Sequence, residues 1–399
     1  MRQSLLSICL IAGLFCFLNA GAGFAQQYLP APSAKRPIAA VVVPLHLDSA
    51  FQAGKYRFGN QMPGFLLPGL EFYNGVKIAV DELKELGISA RIRIIDSKSS
   101  DVLAQLFKDS AIEKPGLVIT LPQNVTEMRK IADPLRALHI PLISLLPSDA
   151  GITGYPNMLI PNSTLSTHCR QMYRFLQRQH SLDNIVMLKM AGGVEDKLRE
   201  ILQEENKNTP ALRLKWKELT FTDNLTADQL LNLLDSTRQN IILAPTLNTV
   251  QAQKIVKLIS AGAPDYPVAV IGMPTWESIA FNKPEFKKID VYYGTPFVTA
   301  SGNVELFEQF NKKYRALTNS RPSDVAFKGY EITRRYLEVL ANYPDTFLDH
   351  INDEKYKLFT NFSFQPVGSK NSQMANYHEN FKIYFVKKTD GILKDVLTP

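Results

Sequence analysis

The sequence predicts an α/β protein built as two doubly wound parallel-sheet lobes joined by crossover segments. Three observations carry that expectation. Short continuous apolar runs alternate with segments of helical period, the alternation restarts after a Gly/Pro-rich passage at 149–156, and 399 residues are enough for about two such units. With 45% hydrophobic and 21% charged residues the chain has ample material for a core, which excludes the disordered and low-complexity classes.

The N-terminus comes first. Arg2, an apolar run from Leu5 to Leu18 and the small-residue stretch Ala20 to Ala25 around Phe24 read as a secretory signal peptide over residues 1–25. Removing it leaves 374 residues (399 minus 25) and, with the loss of Arg2, lowers the net charge from +7 to +6. Cys9 and Cys16 leave with it, so Cys169 remains alone and no intramolecular disulfide is expected. Phe15 stands where a lipoprotein signal needs a small residue before Cys16, so no lipid anchor is expected. No later run approaches the roughly 18 apolar residues of a spanning helix. The mature chain is thus expected to be periplasmic, without an integral membrane segment.

After a Pro-containing linker at 26–37, Ile38 to Val43 is a continuous β-branched and Ala run, suited to a strand covered on both faces. A loop runs to Gly69, then Phe72, Val76, Ala79, Val80 and Leu83 recur at helical spacing until Gly87. Strand 91–95, helix 102–107, strand 117–119, a helix carrying Met128, Ile131, Leu135 and Leu138, and strand 141–145 continue the series. Its βαβ order requires right-handed crossovers. In the second half Leu165, Cys169, Met172 and Leu176 mark a helix face. Strands at 185–188, 212–216, 241–243 and 268–271 alternate with helices at 194–202, around Leu231 and at 255–259. Two long helices follow, one with Phe307, Phe310 and Tyr314, the other with Ala326, Tyr330, Leu337 and Leu340, and a strand pair within 361–386 closes the chain. The expected partition is 38–155 plus 292–341 for lobe one and 156–291 plus 342–399 for lobe two.

Chemistry narrows the function. The chain has no G-x-S-x-G, H-E-x-x-H, Walker loop or strand-following G-x-G-x-x-G, so no catalytic residue and no cofactor are expected. Six histidines without metal spacing read as surface or capping residues, with no metal site. Lys and Arg are scattered among acids, as in Asp81-Glu82-Leu83-Lys84-Glu85, which argues against a nucleic-acid groove despite a pI near 9.1.

Several motifs in order resemble the type I periplasmic solute-binding family, leucine/isoleucine/valine-binding proteins in particular. They are Phe72-Tyr73-Asn74-Gly75 opening a helix, Ile94-Ile95-Asp96 ending a strand, Ile140-Pro141-Leu142-Ile143-Ser144, Pro322-Ser323-Asp324-Val325-Ala326-Phe327-Lys328-Gly329-Tyr330, and Asp390-Gly391 at the last turn. The resemblance implies the periplasmic-binding-protein-like I fold and a small polar solute, amino-acid- or amide-like, held between the lobes, with delivery to an ABC permease. It implies ligand contacts from Asn124 and Thr126, from Ser144, Ser148 and Asp149, and, in the second lobe, from Thr246, Asn248, Trp276 and Glu277. Leu146, Asp149 and the absence of loop tyrosines depart from the amino-acid-binding pattern. A different class of function therefore stands beside the first: an envelope scaffold or regulator of cell-wall synthesis that binds proteins, through the apolar segment at 49–68.

Overall fold

The computed structural model describes residues 36–107, 114–146, 151–190, 192–221, 225–262, 265–298, 303–368 and 375–398. The expected signal peptide, all but the last two residues of the linker, and Ser148 and Asp149 lie outside the described residues. The first apolar run forms β1 (Ile38–Val43), buried from Ala39 onward. A short helix, α1 (Leu47–Ala50), and a hairpin of β2 (Phe51–Gln52) with β3 (Lys55–Tyr56) precede α2 (Leu67–Glu85), whose first turn carries Pro68. Then come β4 (Arg91–Asp96), α3 (Val102–Phe107), β5 (Leu117–Thr120), α4 (Val125–Ala137), β6 (Leu142–Ser144) and β7 (Met158–Ile160). These strands pair in parallel as β4-β1-β5-β6-β7, a doubly wound order that reverses direction between β1 and β5.

The second half repeats the pattern. Its elements are α5 (Leu165–Gln179), β8 (Asn184–Met190), α6 (Gly193–Asn208), β9 (Trp216–Phe221), α7 (Ala227–Leu231), β10 (Asn240–Leu243), α8 (Thr249–Gly262), β11 (Val268–Gly272) and β12 (Asp290–Thr295). The parallel order β9-β8-β10-β11-β12 again reverses between its first and third strands in the chain. Helices α9 (Val304–Thr318) and α10 (Asp324–Asn342) return to the first lobe, followed by β13 (Phe364–Gly368), β14 (Ala375–Asn380), β15 (Tyr384–Thr389) and β16 (Ile392–Leu397).

Sheet membership redraws the expected partition. β7 belongs to the first sheet rather than the second lobe, and β12 to the second sheet rather than the first lobe. β14 joins the first sheet beside β7, with β13 antiparallel to it, whereas β15 and β16 extend the second. Each wound sheet takes a fifth parallel strand before the chain crosses, and local periodicity carries no record of the strand's partner. The strand expected at 212–216 begins only at Trp216, because Leu212 to Lys215 lie outside the β8 pairing that runs from Trp216 to Phe221.

Helices α2 and α10 approach closely at two glycines. A Cβ added at Gly75 would lie 2.1 Å from the Ala326 carbonyl oxygen, and one at Gly329 would lie 2.4 Å from that of Phe72. Two of the quoted motifs are therefore the two sides of one helix contact. Next to it, α10 buries Glu331 and Arg335 at i, i+4, with Arg335 completely inaccessible. Glu331 accepts the amides of Phe359 (3.0 Å) and Thr360 (2.6 Å) and bonds the Thr360 hydroxyl (2.9 Å). Arg335 donates to the Thr360 carbonyl (3.1 Å) and stands over the Phe362 ring. Val298, just after β12, donates its amide to the Thr360 hydroxyl (3.2 Å). The segment leaving β12 is thereby tied to the segment leading into β13. The other two crossings are joined at Asn380, whose side chain donates to Pro161, and at Ser163, whose hydroxyl donates to the Asn380 carbonyl.

Burial raises the Glu331 carboxyl from 4.5 to about 7, against the lowering effect of its Thr360 and Phe359 bonds and of Arg335. An acid raised by folding contributes stability in full below its unfolded value, and loses it as pH climbs through the folded one. The melting temperature should therefore fall as pH rises from about 5 to about 7. Glu331→Gln should flatten that slope while lowering stability by about 1–3 kcal/mol, since an amide cannot accept on both sides all the donors of Phe359 and Thr360. Thermal melts of both proteins across the window check this; an equal slope in the variant would refute the assignment.

Candidate functional site

In a doubly wound sheet, loops and helix N-termini gather at the C-terminal strand ends, around the reversal point. In the first lobe the loop after β1 is organised by Asp96, the last residue of β4. Its Oδ1 accepts the amides of Leu45 (2.9 Å), His46 (3.1 Å) and Lys98 (3.0 Å), and its Oδ2 that of Leu47 (2.7 Å). A partly buried loop with three amides turned inward needs such an acceptor. His46, at φ 53°, then turns the chain outward. Its ring meets Phe65 edge-on, and contacts continue through Phe58 and Tyr56 to Phe51. Phe51, Met62, Phe65 and Leu67 are exposed.

Most of the expected ligand contacts are engaged with the protein. Asn124 caps α4, its Oδ1 accepting the Glu127 amide (2.9 Å). Glu127 returns a bond from Gln123 N–H and pairs with Lys98, and these bonds hold its carboxyl below the usual range, although burial, the largest single effect, raises it. Thr126 is exposed in the first turn of α4. Ser144 is fully buried at the end of β6, its hydroxyl facing the Leu146 amide at 3.5 Å. In the second lobe Thr246 is buried and donates to Glu195 (3.0 Å), and Asn248 caps α8 by accepting the amides of Val250 (2.9 Å) and Gln251 (3.2 Å). Trp276 is completely buried and packed on Gly272, where an added Cβ would meet its ring at 2.1 Å, and its indole N–H donates to the Thr246 carbonyl. The expectation that Trp276 stacks on a ligand is corrected: its ring fills the core under the strand-end loop. His168 also departs from the surface reading, since it is buried at the start of α5 and burial lowers its imidazole to about 3.

Glu277 is the exception. Its side chain is exposed, so it is free of the capping and core roles that occupy the others. Burial raises its carboxyl, Asp324 adds to the rise, and Lys328 and Lys388 oppose it. Glu277 and Lys388 stand on the second lobe, whereas Asp324 and Lys328 occupy the first two turns of α10 in the first. Lys388 lies over the Tyr293 ring (5.0 Å), and its own ammonium is lowered by burial, with Glu277 and Asp324 acting the other way. The Tyr293 hydroxyl is raised by burial and then by Glu277 and Asp324. A tyrosine thus does stand beside the second-lobe acid. It comes from β12 rather than from a strand-end loop, and only the pairing of β12 with β11 and β15 brings it there. Two carboxylates, two ammoniums and a phenol drawn from both lobes can complement a small solute bearing both charges.

No protein-family model and no curated protein matches the chain. Solved structures do match. The isoleucine complex of the branched-chain amino acid transporter substrate-binding protein LivJ from Streptococcus pneumoniae is 17% identical, covers 92% of this chain and 100% of its own, and superposes with a TM-score of 0.51. A putative branched-chain amino acid ABC transporter protein from Rhodospirillum rubrum gives 12% identity, 90% and 99% coverage and a TM-score of 0.63. An ABC transporter substrate-binding protein of Desulfitobacterium hafniense, in complex with Leu, gives 15%, 91% and 100%, and 0.54. This chain has the fold of type I periplasmic solute-binding proteins over nearly all its described length.

The engaged residues make a direct prediction. Asn124→Ala should lower stability by about 1 kcal/mol through loss of the cap, and Trp276→Ala by about 3–5 kcal/mol through the cavity it leaves. Denaturant unfolding measures both. A Trp276→Ala protein as stable as the parent would return Trp276 to the ligand-contact reading.

Proposed function

We propose that the protein is an exported, non-enzymatic receptor whose two lobes close on a small polar solute of amino-acid- or amide-like character and present it to an ABC importer. The observation that carries this reading is the charged set shared by the lobes, in which Asp324 and Lys328 of α10 and Lys388 of β15 act on the Glu277 carboxyl. A carboxyl raised by burial and by a second carboxylate gains from an arriving ammonium, whereas the lysines suit a carboxylate or carbonyl at the other end of the solute. The bound isoleucine and leucine of the structural neighbours favour this reading over an envelope scaffold. Among the described residues no helix is long and apolar enough to cross a membrane, which fits a receptor that meets its permease from outside the bilayer. Ser148 and Asp149 remain proposed contacts on sequence grounds, beside Thr126.

A thermal-shift screen of amino acids, their amides and small peptides tests the proposal. A solute at a hundred times its dissociation constant should add about 2.7 kcal/mol of stability. No shift with any of them would count against the receptor reading.

For an ammonium-bearing solute the pH dependence has a definite sign. Protonated Glu277 is neutral and binds an ammonium weakly, and its titration is displaced upward, so affinity should strengthen as pH rises above the ordinary carboxylate range. Glu277→Gln should weaken binding about tenfold or more and abolish that dependence. Calorimetric titration across pH reads both; unchanged affinity in the variant would remove Glu277 from the site. Asp149→Asn, tested alongside, should shift the preference away from cationic solutes.

A further inference from the structure

A groove of about 530 Å³ lies at the crossing between β14 and β15, with none of its lining drawn from the strand-end loops that carry Glu277. Its walls come from both lobes and from the segment joining them. Arg170 and Arg174 project from one face of α5, Glu205 from α6, Ser363 and Gln365 from the start of β13, and Lys382 from the crossing itself. Three cations against one acid leave a surplus of two positive charges. Arg170 is engaged by Glu205 at 2.8 Å, whereas among the described residues neither Arg174 nor Lys382 has an ion pair. The Lys382 ammonium stands over the Tyr384 ring at 5.7 Å. The frame around them is held firmly. Gln171 donates to the Phe381 carbonyl (3.0 Å), and the Phe381 amide donates to the Ser363 carbonyl (2.8 Å).

Concave walls with surplus positive charge concentrate anions, and a guanidinium offers paired donors that match carboxylate and phosphate oxygens. The volume admits a small metabolite as well as a single oxyanion. We propose that this groove binds a small polyanion carrying carboxylate or phosphate groups, held between Arg174 and Lys382, and that its occupancy steadies the crossing between the lobes. The site is separate from the solute cleft and does not depend on the receptor reading. Arg174 supplies the guanidinium on the second lobe and Lys382 the charge on the crossing, while Ser363 and Gln365 offer polar groups from the first lobe.

Calorimetric titration of the purified protein with citrate, and separately with inorganic phosphate, at an ionic strength held constant with chloride, tests this. Saturable binding of one citrate or one phosphate per chain is expected, and the anion that binds more tightly identifies the oxyanion type. Arg174→Ala and Lys382→Ala should each weaken binding about tenfold. Both side chains reach solvent, so the melting temperatures of these variants should stay at the parent value and separate loss of binding from loss of fold. Glu205→Gln should act in the opposite direction, because it frees Arg170 and removes the one repelling charge, and tighten binding severalfold. Glu277→Gln should leave anion binding unchanged, so that failure of the solute cleft and failure of this groove are distinguishable. Hydrogen exchange should slow at residues 381–383 in the presence of the bound anion. Absence of saturable binding by both anions, parental affinity in Arg174→Ala and Lys382→Ala, or weaker binding in Glu205→Gln would overturn the proposal.

Discussion

The buried carboxylate of Glu331 is the interaction on which the joining of the two lobes depends. A carboxylate without water needs donors on its oxygens, and here they are the amides of Phe359 and Thr360 and the Thr360 hydroxyl. Those donors belong to a chain segment with no regular structure of its own. The helix therefore dictates where that segment runs, and through Val298 it also dictates the exit from β12. Arg335 one turn later supplies the opposite charge and satisfies carbonyls of the same segment. Buried charges held in this way add little net stability when compared with apolar packing, and removing any one of their partners leaves a desolvated group unpaired.

The same requirement explains why so many strand-end polar residues are turned toward the backbone. A helix that starts beyond a parallel strand exposes amides without partners, and at α4 and α8 an Asn satisfies them. Asn124, Asn248 and Asp96 do this, and Thr246 joins Asn248 by accepting its amide. A cap and a ligand contact call for the same residue types in the same loops, so sequence cannot separate the two. Glu277 differs because it sits on a single 3-10 turn, Pro274–Ser278, whose fully buried Trp276 anchors the turn while leaving the acid at the surface.

The Gly75 and Gly329 contact shows what a motif can contain. Both glycines lie inside helices, where the residue carries a conformational cost. The contact with Ala326 and Phe72 backbone oxygens offsets it, because any side chain would force α2 and α10 apart. Glu82 of α2 adds polar ties from the same helix, bonding Tyr330 of α10 (2.5 Å) and Lys313 of α9 (2.9 Å). Through this packing the first two turns of α10 hold Asp324 and Lys328 within electrostatic reach of Glu277.

The sequence by itself determined the two wound sheets, the order of their elements and the core faces, because apolar period and chain order are local properties. The buried run Ile38–Val43 and the helix face of Cys169, Met172 and Leu176 were legible in this way. It also located the strand-end loops in which Asn124, Thr246 and Glu277 stand. Only the tertiary structure decided which sheet β7, β12 and β14 join, since a strand's partner is a long-range choice that leaves no periodic mark. It alone decided that Trp276 is core, that Asn124 and Asn248 are caps, and that Tyr293, Lys388, Asp324 and Lys328 lie within electrostatic reach of Glu277. Those four residues are separated in the chain by up to 95 positions (388 minus 293) and come together because strand pairing and helix packing, rather than sequence spacing, set the distances between them.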